Sequence, residues 1–398
     1  MRNLSRNGAG ENPEAVDELS LFRGGLFYRL QVLLRLIRGP KWNLPPRVLW
    51  IVAVSWLPLI IITALTRREQ LSTLLRDYVV YSRTVIAAPV LLIGQVVTES
   101  RFSVLVTHVR EAQLLGKEDR RRLDGLIGRL KRLRDSVLPE LTMLALIVAE
   151  LVIMGRSRAF NGSAWALCKS GEALSVTAAG WYYLLVSVPI YQFLVLLALW
   201  KWLVWCYLLY RLSRMDLQLV PTHPDEHCGL GFLGLAPVAF IPIAIALSAA
   251  IGGTWRYEIL YAGATLASLA LPAIILLVLI CMLELGPLCF FVPRLMLLRT
   301  NALLEYGVLT QFYATNFHEK WILKRTGLET EAPNVTMLAD LATNYSNIRR
   351  IRPFPIDKET LIGLAAAVLL PLLPVVLAEH SLSVIIKGLI QAVGSVPI

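Results

Sequence analysis

Long apolar runs separated by short polar segments dominate the chain. The runs that carry few or no charges lie at about 48–66, 84–99, 138–155, 180–201, 232–252, 258–284 and 360–378. A helix needs about 20 apolar residues to cross ~30 Å of hydrocarbon. The pattern therefore predicts an all-α, polytopic membrane protein with about seven transmembrane helices. The run at 84–99 is the weakest, because it is short and contains Pro89.

Composition and charge agree with a membrane protein. Of the 398 residues, 56% are hydrophobic and 17% are charged, whereas soluble domains are about half apolar and about a quarter charged. The net charge of +11 could indicate a nucleic-acid partner, but the basic residues sort by membrane side. One face would hold 29 of the 39 Lys and Arg residues if it carries 1–47, 99–137, 206–231 and 285–359. We therefore expect a cytoplasmic N-terminus, a C-terminus outside and no nucleic-acid partner.

The same pattern divides the chain into three parts. These are a cytoplasmic N-terminal segment at 1–47, a membrane domain at 48–378 that includes cytoplasmic helices at 100–137 and 285–359, and an outer C-terminal tail at 379–398. A basic amphipathic helix from Leu26 to Ile37 is predicted to lie in the headgroup plane. The basic run at 120–134 is expected to extend the third span into the cytoplasm, and ordinary positive-inside topology explains it better than an anionic-lipid site.

The densest group of chemically capable residues runs from Pro221 to Gly234, between the fourth and fifth spans. The functional candidates in this loop are Thr222, His223, Asp225, Gly229 and Gly231. The glycines match G-x-G-x-x-G by letter, but no strand precedes them, so a dinucleotide site is not favoured. They fit a tight turn and close helix packing better, and an anion held at the helix start is a weaker alternative.

Several side chains of this loop could also bind a metal ion. The metal-capable residues are His223, Asp225, Glu226, His227 and Cys228. Pro221 and Pro224 oppose the helix that would align the two histidines, so no metal, cofactor or catalytic residue is assigned. A loop clamp is favoured in which Thr222, His223 and Asp225 cap the fifth span. A proton-sensitive pair of His223 and Asp225 stays open as an alternative.

Three acidic residues, Glu99, Glu150 and Glu284, lie within or at the ends of predicted spans. An ionised carboxylate is costly at membrane depth and is a functional candidate by default. Simple placement at the membrane edge is at least as consistent with all three. Glu150 is the residue to test first.

Several motifs together resemble a known family. They are Thr222-His-Pro-Asp225, Gly229-Leu-Gly-Phe-Leu233, Gly180-Trp181-Tyr182-Tyr183, Arg76-Asp77 and Leu338-Ala-Asp340. On these motifs the chain is similar, over most of its length, to a family of bacterial multi-pass inner-membrane proteins of uncharacterised function. The motif of that family usually reads H-P-D-x-x-G-G-L-G-F-L, so Cys228 stands where a glycine is expected. This departure weakens the interpretation of His227 and Cys228 as metal ligands that the whole family shares.

The order of spans is similar to that of insect olfactory and gustatory receptor-like channels, a superfamily of seven-transmembrane ion channels. The resemblance implies a homotetramer that assembles through cytoplasmic helices, with residues 336–350 near the axis and the last span lining the pore. The aromatic and glutamine motif of the insect span is missing here. On this hypothesis the pore or gate residues are Leu361, Leu364, Val368, Leu372 and Val375. As an alternative, these residues form the same apolar stripe if they face lipid or pack against other helices.

The sequence therefore favours a homotetrameric ion channel whose partners are the lipid bilayer and further copies of the chain. It names no ligand and no cofactor. The alternatives are a small-solute or ion transporter, a membrane-embedded enzyme that uses loop 222–229, and a structural or signalling module. An enzyme is not favoured, because the polar groups are few and dispersed.

Overall fold

The computed structural model describes residues 24–37, 43–112, 114–158, 163, 165–170, 173–323, 335–356 and 358–379. The helices are α1 Gly25–Leu33, α2 Leu44–Thr66, α3 Tyr78–Glu111, α4 Lys117–Asp135, α5 Leu138–Arg158, α6 Ala178–Ser213, α7 Gly231–Tyr261, α8 Leu266–Ile322, α9 Val335–Arg349 and α10 Lys358–Glu379. Short helical turns at Arg68–Gln70 and Leu71–Leu75 follow α2, and strands β1 Leu167–Ser170 and β2 Ala173–Val176 pair as an antiparallel hairpin. The predicted all-α class is confirmed.

Six helices are long and apolar enough to cross a bilayer, namely α2, α3, α6, α7, α8 and α10. A seventh crossing is present if α4 and the first part of α5 count as one bent span. The chain is an integral, multi-pass helical membrane protein. The predicted N-terminal segment up to residue 23 and the predicted C-terminal tail from residue 380 onward lie outside the described residues.

The second span is longer than the apolar run at 84–99 indicated. Helix α3 begins at Tyr78, because the carboxylate of Asp77 accepts hydrogen bonds from the backbone N–H groups of Val79 and Val80 at 3.0 and 3.4 Å. This N-cap satisfies two of the N–H groups that every helix start leaves without a partner. Arg83, which the hydropathy pattern placed in a flanking loop, therefore lies inside the helix.

The turn between the fifth and sixth spans is displaced from its predicted position at 253–257. Those residues continue α7, and the chain turns at 262–265, where Gly263 has a φ of 71°. Gly253 serves helix packing instead of a turn, because a Cβ at this position would overlap the Ser82 side chain of α3. Small residues of this kind let two membrane helices approach closely.

The basic helix α4, which was predicted to extend the third span, is not collinear with α5. A bend of 46° separates it from α5 at Ser136. Pro139, the second residue of α5, explains the break, because it has no N–H to donate to Asp135 and disfavours a helical residue before it.

The helices alternate between two ends of the molecule. We call the end with β1, β2 and residues 67–77 the hairpin end, and the end with residues 214–230 and 350–356 the loop end. Helix α10 finishes at the hairpin end, where the Glu379 carboxylate accepts a hydrogen bond from the N–H of Leu266 at 2.6 Å. This alternation agrees with the predicted order of the loops. The placement of the loop end in the cytoplasm and the domain limits stay predictions.

Three hydrophobic clusters hold the helices together. The largest joins α3, α4, α6 and α7 around Phe102 and Trp205, whose rings meet edge to face at 5.0 Å. Another joins α7, α8 and α10. The cluster at the hairpin end contains Trp165 and Tyr183, and its residues also form part of a cavity wall.

Candidate functional site: a cavity at the hairpin end

A cavity of about 720 Å³ lies between α3, α5 and α6 at the hairpin end. Its volume falls within the ~300–1,000 Å³ that is usual for small-molecule sites. Most of the wall is apolar, with side chains such as Leu146, Ile147 and Val188. The polar side chains at the wall include Asp77, Arg83, Glu150, Tyr183, Tyr191 and Gln192. Organic ligands bind in cavities of this composition, where apolar walls surround the ligand and a few polar groups orient it.

Two π-helical segments place polar side chains at this cavity. Segment Ser82–Ala87 of α3 carries Arg83, and segment Tyr183–Ser187 of α6 begins with Tyr183. A π-helical turn contains an extra residue and so shifts side chains out of the ordinary helical register, and such turns are frequent at functional sites. Nη1 of Arg83 donates a hydrogen bond to the Tyr183 hydroxyl at 3.5 Å. The two segments therefore meet at the cavity wall.

Asp77 ties the segment before β1 to the start of α3. One carboxylate oxygen caps α3, and the other accepts hydrogen bonds from the Ser163 hydroxyl at 3.0 Å and from Nε1 of Trp165 at 2.8 Å. Trp165 is 1% exposed, and its ring meets that of Tyr183 edge to face at 5.6 Å. Four donors occupy about the four acceptor positions that a carboxylate offers. Asp77 is thus a structural anchor of the cavity.

Arg83 is the only Lys, Arg or His side chain at the cavity wall within the described residues. A guanidinium keeps its charge in proteins and offers five N–H donors. In the part of the chain that the structure describes, Arg83 forms no ion pair within 4 Å of a carboxylate, and Asp77 acts on it only at longer range. Its hydrogen bond to Tyr183 is long. Arg83 therefore has spare donors for a ligand.

Glu150 is the acidic candidate that the structure places at this cavity. Its Oε2 accepts a hydrogen bond from Nε2 of Gln192 at 2.9 Å, which links α5 to α6 beside the cavity. Glu284 lies elsewhere, is 3% exposed, and neither of its carboxylate oxygens has a hydrogen-bond partner among the described residues. Glu99 belongs to a separate polar cluster near the loop end.

This second polar cluster, which we call the inner cluster, lies on α3, α5 and α6, the helices of the cavity, and on α2. Its buried members are Arg47, Gln95, Glu99, Glu140 and Lys201. The carboxylate of Glu140 also caps α1, because it accepts hydrogen bonds from the N–H groups of Leu26 and Phe27 at 2.6 and 3.1 Å. Two cations and two carboxylates in one cluster balance each other's charge, which is the usual condition for ionisable groups at membrane depth.

Asp225 organises the polar loop between α6 and α7. Its carboxylate accepts hydrogen bonds from the backbone N–H groups of His227, Gly229 and Gly231 at 2.9–3.1 Å. Nδ1 of His223 lies 2.8 Å from the same carboxylate. Burial opposes ionisation of this side chain, but the backbone N–H groups outweigh burial and lower the pKa of Asp225 below its ordinary value. The loop therefore folds around a carboxylate that is charged at neutral pH.

The same loop holds the segment that precedes α10. The carbonyl oxygen of Glu226 accepts a hydrogen bond from the N–H of Arg352 at 2.9 Å, and the Glu226 carboxylate pairs with Nε of Arg352 at 3.0 Å. Nδ1 of His227 lies 3.2 Å from the carbonyl oxygen of Arg352. A Cβ at Gly234 would lie 2.8 Å from the carbonyl oxygen of Pro355. We call these contacts, together with the hydrogen bonds of the preceding paragraph, the loop clasp.

The described residues of the loop clasp do not form a group that could hold a metal ion. Burial, and then the charge of Asp225, raise the pKa of the Cys228 thiol to about 12, so this fully buried side chain stays protonated. Glu226 and Cys228 adopt φ values of 59° and 58°, which suit a turn. Thr222 and His223 lie at the more exposed rim. Within the described chain, no group of three or more His, Cys, Asp or Glu residues could hold a metal ion.

Four of the five pore candidates pack inside a single chain. Leu364, Val368, Leu372 and Val375 are at most 8% exposed and belong to the cluster of α7, α8 and α10, whereas Leu361 is 45% exposed. The exposed residues of α10 include Ile362, Leu369, Leu370 and Leu373. This placement favours the packing interpretation of the stripe. Its role in a pore stays a prediction.

Sequence reasoning did not identify Arg83, Trp165 and Tyr183 as site residues. Arg83 stands at the edge of an apolar run and looks like an ordinary basic flank. Two short motifs could have indicated the cavity. They are Arg76-Asp77 and Gly180-Trp181-Tyr182-Tyr183, and each ends at a residue of the cavity wall.

Comparison with known proteins identifies no family. No family model matches the chain, and neither a curated protein nor a solved structure matches it. The resemblances to a bacterial inner-membrane family and to receptor-like channels stay predictions.

Proposed function

We propose that this protein is a membrane transporter for a small organic solute that binds in the cavity around Arg83. The observation that carries the proposal is the cavity itself, which has about 720 Å³ of space and a largely apolar wall. A few polar groups converge on that space from α3, α5 and α6. This is the composition of a ligand site rather than of a packing defect.

The distribution of polar residues along the three helices supports transport. Helix α3 carries Arg83 at the cavity and Glu99 in the inner cluster, and α6 carries Gln192 and Lys201 in the same two places. Helix α5 likewise contributes Glu150 to the cavity and Glu140 to the inner cluster. Ionisable residues at membrane depth mark substrate or ion paths in transporters. A path between these helices would connect the two polar regions.

We place the protein in a bacterial inner membrane with its N-terminus in the cytoplasm. The distribution of Lys and Arg supports this orientation, because 29 of the 39 basic residues lie in the segments predicted to be cytoplasmic, which are 1–47, 99–137, 206–231 and 285–359. In this orientation the cavity lies on the outer side of the membrane, where an external solute reaches it first.

Binding to the protein in nanodiscs tests the proposal. Purified protein in phosphatidylcholine nanodiscs is dialysed against a panel of water-soluble aromatic acids, amides and amines, and the bound fraction is compared with that of empty nanodiscs. Val195→Trp fills the cavity from α6, whereas Leu203→Trp places the same ring at a position that is 51% exposed on the outside of α6. We expect at least one probe to bind wild type and Leu203→Trp, and to bind Val195→Trp at least tenfold more weakly.

Uptake of the bound probe into proteoliposomes then tests transport. A transporter accumulates or equilibrates the probe faster than empty liposomes do, and Val195→Trp abolishes the difference. Equal binding of every probe to wild type and Val195→Trp, or no binding above that of empty nanodiscs, would overturn the proposal.

A second candidate function, the homotetrameric ion channel, is favoured by the exposed apolar surface of α8. The segment Val292–Phe317 buries only Leu295 and Ala302. Its most exposed large side chains are Leu297, Leu304, Val308 and Phe312, which are 54–74% exposed. Helix α9 packs on one side of this segment. A surface of this kind suits lipid or a further copy of the chain.

Native mass spectrometry and bilayer recording test the channel. A tetramer with single-channel conductance supports it, and Leu304→Lys together with Val308→Lys should then dissociate the tetramer. A monomer without conductance at any tested pH removes this candidate and leaves the transporter proposal unaffected.

A further inference from the structure

We propose that the solute bound in the cavity is a monoanion, with one carboxylate or equivalent oxyanion held by Arg83 and an apolar body held by the walls. This inference rests on the proposed function, since it names the chemical class of ligand for the same site. It is carried by one juxtaposition: a guanidinium with spare donors, a carboxylate with none of its acceptor positions left, and an open space beside both.

The carboxylate whose charge reaches Arg83 is that of Asp77. Its oxygens already accept four hydrogen bonds, at 2.8–3.4 Å. A carboxylate offers about four acceptor positions. Asp77 therefore lowers the cost of a charge at Arg83 through space, but it forms no bidentate pair with the guanidinium.

The guanidinium of Arg83 needs a counter-charge or hydrogen-bond acceptors. A cation at membrane depth is costly unless a counter-charge or hydrogen-bond acceptors reach it. The Tyr183 hydroxyl accepts one hydrogen bond, at a long 3.5 Å. A planar guanidinium binds carboxylates through two parallel N–H donors. A ligand carboxylate in the cavity would therefore complete the coordination of Arg83.

The charges of the cavity wall limit the ligand to one negative charge. Among the described residues of the wall, Arg83 is the single cation, whereas Asp77 and Glu150 are both acidic. A second anionic group on the ligand would meet these two carboxylates and, among the described residues of the wall, no second cation. The hydrogen-bonded pair of Glu150 and Gln192 suits a neutral polar group instead.

The rest of the ligand would contact the apolar part of the wall. Leu151, Val188 and Leu196 present aliphatic surface, and Trp165 and Tyr191 present aromatic rings. Walls of this kind bind an apolar body of aromatic or branched aliphatic character. An organic acid fits the site, and so does the head group of an anionic lipid, since both present an oxyanion next to apolar groups.

Matched probe pairs test the charge requirement. The pairs are indole-3-acetate with indole-3-acetamide, 3-phenylpropionate with 3-phenylpropionamide, and 1-naphthoate with 1-naphthamide, each measured by dialysis against the protein in phosphatidylcholine nanodiscs. The proteins are wild type, Arg83→Gln, Arg83→Lys and Arg76→Gln. Arg76 is the matched control, because it is a cation at the hairpin end that does not line the cavity.

We expect an acid to bind wild type at least tenfold more tightly than its amide. Arg83→Gln should abolish this preference, Arg83→Lys should keep part of it because a point charge replaces the fork, and Arg76→Gln should keep all of it. Equal binding of acid and amide to wild type and to Arg83→Gln would overturn the monoanion inference while leaving the cavity as a binding site. No binding by any probe would overturn both.

A labelling experiment tests the same inference without a ligand. Thr254 lies at the cavity wall, and Thr254→Cys places a thiol there. We expect an anionic methanethiosulfonate reagent to modify it faster than a cationic reagent of similar size, relative to the same ratio for free cysteine. Arg83→Gln should reverse the order, and the chain without the added cysteine gives the background. An unchanged ratio in Arg83→Gln would contradict a role of Arg83 in attracting anions.

Lipid composition distinguishes the two sources of the oxyanion. If a lipid head group occupies the site, adding phosphatidylglycerol to the nanodiscs should weaken acid binding at least tenfold. If the site takes a free organic acid, phosphatidylglycerol should leave the affinity unchanged. Acid binding that rises with phosphatidylglycerol would contradict an oxyanion site at Arg83.

Discussion

The loop clasp and the cavity both contain an aspartate that is saturated with hydrogen bonds, but they differ in what surrounds it. In the loop clasp, Asp225 receives three backbone N–H groups, and the neighbouring residues contact the segment before α10. At the cavity, Asp77 is equally saturated, yet Arg83 beside it has spare donors and faces open space. A dense run of polar residues thus builds a turn, whereas a ligand site needs polar groups that the fold leaves available.

This difference has a consequence for substitutions. Where every polar group already has a partner, removing one leaves buried groups unsatisfied and lowers the free energy of unfolding. Where a polar group faces a cavity, removing it changes ligand binding and costs the fold little. Substitutions in the two regions should therefore separate loss of stability from loss of binding.

The largest loss of stability is expected for Asp225→Ala. The backbone N–H groups of His227, Gly229 and Gly231 lose their acceptor, and an unsatisfied buried donor costs ~1–3 kcal/mol. Because Asp225 is only partly buried, water replaces some of the lost bonds. We expect the free energy of unfolding to fall by about 3 kcal/mol, measured by thermal unfolding of the protein in one detergent.

His223→Ala is the matched control for this substitution. His223 is exposed and contacts the Asp225 carboxylate from the rim of the loop. Its removal should lower stability by less than about 1 kcal/mol, as for exposed ion pairs. Equal losses for the two variants would mean that the contact with His223, and not the backbone hydrogen bonds, holds the loop clasp together.

The pH dependence of this contribution follows from the lowered pKa of Asp225. A carboxylate whose pKa is lower in the folded protein stabilises the fold above its unfolded pKa of about 3.9, and the stabilisation is lost as pH falls through the folded pKa. The difference in stability between wild type and Asp225→Asn should therefore be constant above about pH 5 and shrink below about pH 4. Measuring both in a His223→Ala background removes the neighbouring imidazole. A difference that grows on acidification would contradict this account.

The spans and the loop clasp were largely predictable, because their signals are local. Apolar runs fix which segments enter lipid, and a loop with Pro221, Asp225 and Gly229 carries ordinary turn chemistry. The hydrogen-bond partners of Asp225 were less accessible, since they depend on the left-handed conformations of Glu226 and Cys228.

The cavity was not predictable for a different reason. Asp77, Arg83, Glu150 and Tyr183 are spread over about a hundred residues of sequence, and only the packing of α3, α5 and α6 brings them together. Two π-helical segments set the direction of Arg83 and Tyr183, and hydropathy carries no signal for such segments. Arg83 also resembles an ordinary basic residue that flanks a span. It lies inside α3 only because Asp77 caps the helix at Tyr78, and a single capping residue gives hydropathy no signal.

A smaller loss is expected for Asp77→Ala. This substitution removes the cap of α3 and leaves Nε1 of the buried Trp165 without its carboxylate. Loss of a cap costs ~0.5–2 kcal/mol, and with the indole contact we expect a decrease of about 2 kcal/mol in the free energy of unfolding. Glu69→Ala, at an exposed acid of the same end, is the control and should change stability by less than about 0.5 kcal/mol. An Asp77→Ala variant with an unchanged free energy of unfolding would show that the hydrogen bonds of Asp77 do not stabilise the hairpin end.

A still smaller effect is expected for Arg352→Ala. The ion pair with Glu226 is 3.0 Å long, but the Arg352 side chain is 53% exposed. Exposed pairs contribute ~0.2–1 kcal/mol, and the backbone hydrogen bond between the same residues survives the substitution. We expect a loss below about 1 kcal/mol that disappears at high salt. A larger loss would mean that the side chain itself docks the segment before α10.

The smallest effect on stability is expected for Arg83→Gln, although it concerns the residue with the largest expected effect on binding. Glutamine removes a charge that is unfavourable at membrane depth, and the hydrogen bond to the Tyr183 hydroxyl that is lost with the guanidinium is already long at 3.5 Å. We expect the free energy of unfolding to change by less than about 0.5 kcal/mol, measured without ligand beside Asp77→Ala. A loss as large as that of Asp77→Ala would make Arg83 a structural member of the hairpin end. A stable variant that no longer prefers acids over amides would place Arg83 in the opposite class from Asp225, since the fold holds this cation in position without depending on it.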